Sequence, residues 1–496
     1  MKEQIHQLLQ NIGPGKMSNL AYDTAWVARL GEIDWDLSSR ALNWLCAHQL
    51  PDGSWGVEKP FYYHDRVIST LAAMIALTYR GRRAQDRNQI EKGLLALEKV
   101  TSGATQGLQA DPNGATVGFE MIVPTLIAEA ERLGIIKQQG ENILGRLSYI
   151  RKVKMSKLEG YKINKFVTPA FSAEMAGTDF INILDIENLQ ETNGSVGNSP
   201  SATAYYVSSL KCQDQKGMHY LHQWVSQNGG TPNVAPFDIF EPAWVLWNLK
   251  LAEALDSKAL ELCKPHLDFI HKTWKPGTGI GHASEYTPRD SDDTGLVYEL
   301  LSRFGYAVDV ESIFNYEEKD HFRCFALEAN PSISANIHVL GGLRQAGFDK
   351  NHPSIVKILD FLRESRISKS YWLDKWHVSP YYVTSHAIIS CIGIDDEICQ
   401  SAAEWIINTQ KSDGAWGTND APTAEETAYS LQALVLWKRH GGDVSQDVLR
   451  SGMDWLIKQE SLQEPYPPLW IGKGLYCPEY VVKATIISAL ELCKQG

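Results

Sequence analysis

The sequence predicts an all-α protein built from (α/α) barrels. Three observations carry that prediction. Apolar residues recur at helical spacing in windows such as 68–77, 428–436 and 482–492. Sustained period-two alternation, the mark of half-buried strands, is scarce. One unit also recurs along the chain: a helix, a Gln, a tight Asp-Gly turn, a Trp, a loop and a second helix. A single helix pair of this kind cannot bury its apolar face, whereas several stacked into a ring can. A chain of 496 residues exceeds one ordinary core and has the length for two such rings.

The first full copy runs from Asn43-Trp44-Leu45 to Gln49, then through Asp52-Gly53-Ser54-Trp55-Gly56 into a helix with Asp65, Thr70 and Leu71. A looser copy has Leu189-Gln190, Asn193-Gly194-Ser195-Val196 and Ser201-Ala202-Thr203-Ala204-Tyr205. The second full copy has Trp405-Ile406, Gln410, Asp413-Gly414-Ala415-Trp416-Gly417 and Glu425-Glu426-Thr427-Ala428-Tyr429, with Gln and Asp in the same register as in the first. A weak copy runs from Met453-Asp454-Trp455-Leu456 to Gln459. The Gln amide suits neighbouring backbone groups, and the Trp suits a place beneath it.

Composition removes several classes of function. A net charge of −12 and a pI near 5.7 argue against nucleic acid or an anionic membrane surface as partner. No apolar stretch has bilayer length, and the N-terminus lacks a signal-peptide core, so the expectation is a cytoplasmic protein without a membrane span. The eight cysteines form no C-x-x-C pair and read as reduced, mostly buried thiols rather than zinc ligands. With 15 Trp and 20 Tyr, the aromatic content serves packing or lines a cavity that faces a carbocation.

The stretch Pro288-Arg289-Asp290-Ser291-Asp292-Asp293-Thr294-Gly295 packs three carboxylates just before an apolar run. Close carboxylates raise one another's pKa, which can keep one protonated as an acid. The same residues also suit a helix start, where Asp caps free N–H groups. The repeat adds a location. Asp292-Asp293-Thr294 takes the place that Glu425-Glu426-Thr427 holds in the second full copy, at the start of a barrel-lining helix.

At these residues the chain resembles the class II terpene cyclases. Asp290-Ser291-Asp292-Asp293 matches their D-x-D-D motif, and the Gln…Asp-Gly-x-Trp units match their QW repeats. Further stretches resemble diterpene cyclases in particular: His64-Asp65-Arg66, Val117-Gly118-Phe119-Glu120, Ser199-Pro200-Ser201-Ala202-Thr203-Ala204, Gly229-Gly230-Thr231-Pro232-Asn233-Val234, Asp374-Lys375-Trp376 and Trp470-Ile471-Gly472-Lys473. The resemblance covers almost the whole chain. It is strongest to bacterial halimadienyl (tuberculosinyl) and kolavenyl (clerodienyl) diphosphate synthases.

The resemblance implies two barrels of βγ type, one inserted in the other. Residues 1–20 and 256–496 would form the β-type barrel, and residues 21–255 the inserted γ-type barrel. It also implies an intramolecular isomerase. Asp292 would protonate the terminal alkene of geranylgeranyl diphosphate, with Asp290 and Asp293 positioning and re-protonating it. The diphosphate would stay on the bicyclic product, leaving its removal to a downstream enzyme. The class I metal motif D-D-x-x-D is approached only by Asp395-Asp396-Glu397-Ile398-Cys399, read here as a helix start. Lys375, Lys162, Lys165 and Lys473 are the expected diphosphate ligands. Magnesium, general in the family, would use the stretch Gln109–Ala115, which keeps Asp111 but no fuller acidic run; Glu120 is its neighbour.

Plant copalyl-type members end the reaction with a His paired to an Asn. Here Asn233 matches the Asn, and Phe171 stands where the His would be. A Phe cannot act as a base, so the resemblance implies a longer-lived cation and a rearranged halimadane or clerodane skeleton. The alternative is that Phe171 is packing and another base acts early, giving unrearranged copalyl diphosphate. Trp376, His377 and Tyr382 would face the cation, with His377 or Tyr382 as final base, or else pack the core. Other readings are a farnesyl diphosphate or triterpene class II cyclase, an (α/α)-barrel glycosidase with two carboxylates, and a prenyltransferase-like barrel. The sequence leaves oligomeric state, ring stereochemistry and the number of shifts open.

Overall fold

The computed structural model describes residues 1–81, 83–101, 111, 113–137, 144–157, 160–328, 330–419, 421–458 and 463–495. Gln459 of the weak repeat lies outside these, as do Gln109, Ala110 and Pro112 of the acidic stretch.

Two hydrophobic cores organise the chain. One takes residues between Ile5 and Leu20 and again from Val234 to Leu492. The other takes residues between Ala21 and Val225. Helix Phe240–Leu251 lies in the range expected for the inserted barrel, yet its buried side chains belong to the first core.

Each core is a closed ring of inner helices. In the first, Phe240–Leu251, Ser291–Arg303, Ile333–Gln345, Pro380–Cys391, Ala424–His440 and Glu479–Gln495 pack in succession, and the last returns to the first. In the second, Ala21–Ala28, Tyr63–Arg80, Phe119–Arg132, the 3-10 segment Thr168–Ala176 and Pro200–Tyr205 close likewise. Inner helices are buried nearly all round: every residue from Tyr63 to Leu77 is buried. Outer helices such as Trp35–Ala47 and Gln446–Lys458 bury a single stripe. The chain is thus all-α with two (α/α) barrels, as the repeat predicted.

The repeat works as its residue types suggest. Trp55, Trp372 and Trp416 each donate Nε1–H to a carbonyl at the end of the preceding helix, those of Leu45, Leu362 and Ile406. Gln49, Gln190 and Gln410 each donate to the carbonyl of the turn glycine, Gly53, Gly194 and Gly414. These glycines have φ near +90°, and a Cβ on them would strike the backbone carbonyl of Lys92, Lys216 or Ser451 on the next outer helix. The tight turn therefore locks one unit onto the next.

A two-stranded tongue, Trp470–Ile471 paired with Leu475–Tyr476, reaches from the first barrel to the second. Gly472 O accepts from Val117 N at 2.8 Å, and Leu475 N donates to Asp65 Oδ1 at 3.1 Å. From the other side, Asn113 Nδ2 donates to the carbonyls of His377 and Val378.

Candidate active site

A cleft between the barrels encloses about 940 Å³, part of it continuous with solvent. Its walls are mostly apolar and aromatic, with Phe171, Phe237, Phe240, Phe325, Trp376 and Trp470 among them. Asp290, Asp292 and Asp293 line it, and so do Phe171 and Asn233.

The acid cluster is set by the start of helix Ser291–Arg303. Asp290 is its N-cap, accepting from Asp293 N at 2.7 Å. Thr294 anchors the same turn: its Oγ1 accepts from Ile280 N and donates to Ile280 O, each at 3.1 Å. Trp416 N uses Thr427 in the same way, so the repeat register holds at the site. Helix-start capping and a carboxylate cluster are thus both present, carried by different oxygens.

Asp292 points elsewhere. Its Oδ1 lies 2.5 Å from His338 Nδ1, and His338 Nε2 lies 2.8 Å from His386 Nδ1. His386 Nε2 is buried without a partner. An unpaired acceptor is tolerated more readily than an unpaired N–H. A consistent assignment therefore has His386 Nδ1–H donating to His338, and His338 Nδ1–H donating to Asp292. Burial pushes His386 well below the usual imidazole range, which keeps this chain neutral at its far end.

Burial first, then the neighbouring carboxylates, pushes Asp290 and Asp293 above the ordinary carboxyl range. Asp293 Oδ1 is buried with no hydrogen-bond partner. Burial thus favours the protonated form of Asp290 and Asp293 beside Asp292, and an acidic proton facing an apolar cavity can be delivered to an alkene.

The other expected residues divide. Trp376 lines the cavity with its Nε1–H bound to Ser332 Oγ. His377 and Tyr382 do not line it. His377 Nδ1 accepts from Ser379 N at the start of helix Pro380–Cys391, and its Nε2 meets Glu425 at 3.2 Å. Tyr382 is 1% exposed and stacks on His377. The helix start turns both away from the cavity and into buried surroundings.

The lysines divide too. Lys473 is fully buried and donates to Glu174 Oε1 at 2.6 Å and to Ser199 and Ser201 Oγ at 2.7 Å each. It is a bolt between barrels, with no capacity left for a diphosphate. Lys375 pairs with Glu328 and donates to Asn330 O. Lys162 is exposed and Lys165 half-buried, just before the cavity residues Thr168 and Phe171. Arg289 is the only Lys or Arg among the described cavity-lining residues.

Asp111 and Glu120 do not fit a magnesium site. The Asp111 carboxylate accepts from Tyr63 N and His64 N and pairs with His64 Nδ1 at 2.5 Å. Glu120 pairs with Lys154 at 3.3 Å. Among the described residues, no group of three or more His, Cys, Asp and Glu is disposed to hold a metal ion. Asp395 is likewise a helix start, capping Asp396–Asn408 and paired with Arg363.

Sequence reading missed His338 and His282. His338 lies on the neighbouring inner helix, Ile333–Gln345, in no motif; only the packing of Ser291–Arg303 against that helix brings it to Asp292. His282, in the loop before the acid cluster, lines the cavity.

Known proteins resemble this chain over most of its length. The family model of the squalene-hopene cyclase C-terminal domain matches residues 320–466. A type B diterpene cyclase of Mycobacterium tuberculosis is 49% identical over 97% of this chain and 96% of its own length. The ent-copalyl diphosphate synthase of Streptomyces platensis superposes with a TM-score of 0.78 at 26% identity, covering 99% of this chain and 98% of that one. That of Arabidopsis thaliana, in complex with (S)-15-aza-14,15-dihydrogeranylgeranyl thiolodiphosphate, gives 0.69 at 25% identity, over 100% of this chain and 62% of that one. Among the described residues, no helix is long and apolar enough to cross a membrane.

Proposed function

The chain belongs to the class II (type B) diterpene cyclases, isomerase-type enzymes, and from that premise we propose that it converts geranylgeranyl diphosphate into a rearranged bicyclic diphosphate of halimadienyl or kolavenyl type. The observation that carries this reading is the juxtaposition, in one apolar cleft, of the Asp290–Asp293 cluster and Phe171.

In the proposed reaction Asp292 gives its proton to the terminal alkene. His338, donating to Oδ1, leaves the other oxygen to carry the reactive proton and stabilises the carboxylate that forms. Asp290 and Asp293 hold further protons in the same corner and restore the acid. The new cation closes two rings between aromatic walls, whose faces attract positive charge. The C–O bond to diphosphate is untouched, so a hydrolase or transferase acting on allylic diphosphates must consume the product.

Phe171 supports rearrangement. Its ring carries the Lys473 ammonium 4.5 Å from the centroid and offers no lone pair. Asn233, fixed by accepting from Lys473 N at 3.0 Å, has no basic partner there. Without a base beside the first bicyclic cation, hydride and methyl shifts proceed. Phe171→His should raise the unrearranged fraction of product, because the nearby ammonium keeps the new imidazole neutral, with a lone pair free to take a proton from the first bicyclic cation. An unchanged profile by gas chromatography–mass spectrometry of the dephosphorylated alcohols would remove this argument.

We propose that Lys162 and Lys165, shortly before the cavity residues Thr168 and Phe171 in the chain, hold the diphosphate. Losing one charge-assisted hydrogen bond costs about 1.5–3 kcal/mol. Lys165→Ala should therefore raise KM about tenfold or more, with kcat little changed. A KM within twofold of wild type would move the diphosphate elsewhere, Lys375 being the next cation to vary. Magnesium, common in the family, has no site at Asp111 or Glu120, and no step here runs through it. The proposed domain division follows the cores: one barrel from residues up to Leu20 and from Val234 on, the other from the residues between.

The test is incubation of the purified chain with geranylgeranyl diphosphate, followed by dephosphorylation and identification of the alcohol. A rearranged bicyclic alcohol is expected, and an acyclic or unrearranged one would refute the product assignment.

A further inference from the structure

Rearrangement constrains where the reaction ends. Protonation of the terminal alkene places charge next to the acid, and ring closure carries it to the far side of the second ring. Each 1,2-shift of hydride or methyl then moves the charge one bond back across the ring fusion, toward the carbons first protonated. A base for the rearranged product must therefore lie on the acid's side of the cavity, away from the wall of Phe171 and Asn233.

His282 occupies that side. The segment carrying it runs beside the acid cluster. Asp290 N donates to Ile280 O at 3.3 Å, and a Cβ on Gly281 would lie 2.6 Å from Pro288 O and 3.6 Å from Asp290 Oδ2. The segment is pinned from behind, because Ile239 N and Phe240 N both donate to His282 O. The imidazole lies against Tyr286 with ring centroids 4.2 Å apart and planes tilted by 36°, and Phe237 lies 5.7 Å away, also tilted. The residue lines the cavity, and its Nε2 is buried with no hydrogen-bond partner. A buried polar atom left unpaired costs stability, so a ring in this position asks for a role beyond packing.

Resting on the reaction proposed above, we propose that His282 is the terminal base, accepting the proton lost by the rearranged cation on the acid side of the cavity. The C–H bond next to the cationic carbon breaks, its electron pair forms the ring double bond, and the proton goes to an imidazole nitrogen. One proton enters from Asp292 and one leaves to His282, so the isomerisation balances without a co-reactant. Burial pushes the His282 imidazole down to about 3, which keeps it unprotonated beside carboxylic acids that are protonated. A C–H next to a carbocation is acidic enough for so weak a base.

The test compares products of wild type, His282→Gln and His282→Phe from geranylgeranyl diphosphate, with circular dichroism to follow folding. Both variants should still consume substrate. The wild-type alkene should fall at least tenfold as a share of product, replaced by double-bond isomers and water-quenched alcohols. Retention of the wild-type distribution in both variants would overturn the assignment. So would folded variants that no longer consume substrate, which would tie His282 to initiation, or loss of the fold in both, which would make it a packing residue. The wild-type reaction reports separately on the underlying reading: a wild type that makes only the unrearranged bicycle overturns that reading whatever the variants do.

Discussion

Asp292→Asn should lower turnover of geranylgeranyl diphosphate by about 10⁴-fold or more, the upper end for loss of a general acid, while the fold stays intact. The two halves of this expectation have different origins. Chemically, an amide has no proton acidic enough for an alkene, and water does not replace it in a cavity with mostly apolar walls. Structurally, the amide oxygen can still accept from His338 Nδ1, the contact Asp292 makes at 2.5 Å. The helix cap belongs to Asp290, not Asp292. Thermal unfolding should therefore match wild type. A folded variant that still cyclises the substrate would sink Asp292 as donor and turn attention to Asp290 and Asp293, whose carboxyls burial holds above their ordinary range.

Lys473→Met should destabilise the protein by about 3–5 kcal/mol, the usual cost of breaking a buried ion pair from one side. Lys473 and Glu174 are both fully buried, and the ammonium also binds Ser199 and Ser201. Removing it strands a carboxylate that already receives Tyr22 OH at 2.9 Å but pairs with no other cation among the described residues. The tongue that presents Trp470, Ile471 and Gly472 to the cavity would loosen with it. Chemical denaturation measures the effect, and adding Glu174→Gln should recover part of it. A variant of unchanged stability and raised KM would instead restore Lys473 as a diphosphate ligand.

Legibility differed from residue to residue. The repeat was readable because each unit solves its packing locally: Gln49, Gly53 and Trp55 bond within a few residues or to the adjoining helix. The acid cluster was readable for the same reason, lying on one turn. The partner of Lys473 was not legible, because a lysine in a tongue looks alike whether its ammonium meets substrate or Glu174 in the other barrel, 299 residues away in sequence. His377 and Tyr382 were left between cavity and core because aromatic density near a helix start does not say which way that helix turns; the structure buries both. Asp111 carries a carboxylate suited to metal, yet the start of helix Tyr63–Arg80 consumes it.

The sequence by itself determined the all-α class, the ring-building repeat, the family and the position of the three carboxylates, because each is written in short-range spacing. Only the tertiary structure decided what meets those carboxylates. His338 reaches Asp292 across neighbouring inner helices, His282 lies beside Asp290 through a loop folded back on itself, and Phe171 arrives from the second barrel. Those neighbours come from ring closure and from docking of one barrel on the other. Such contacts join residues far apart in the chain, and they leave no periodic trace in a single sequence.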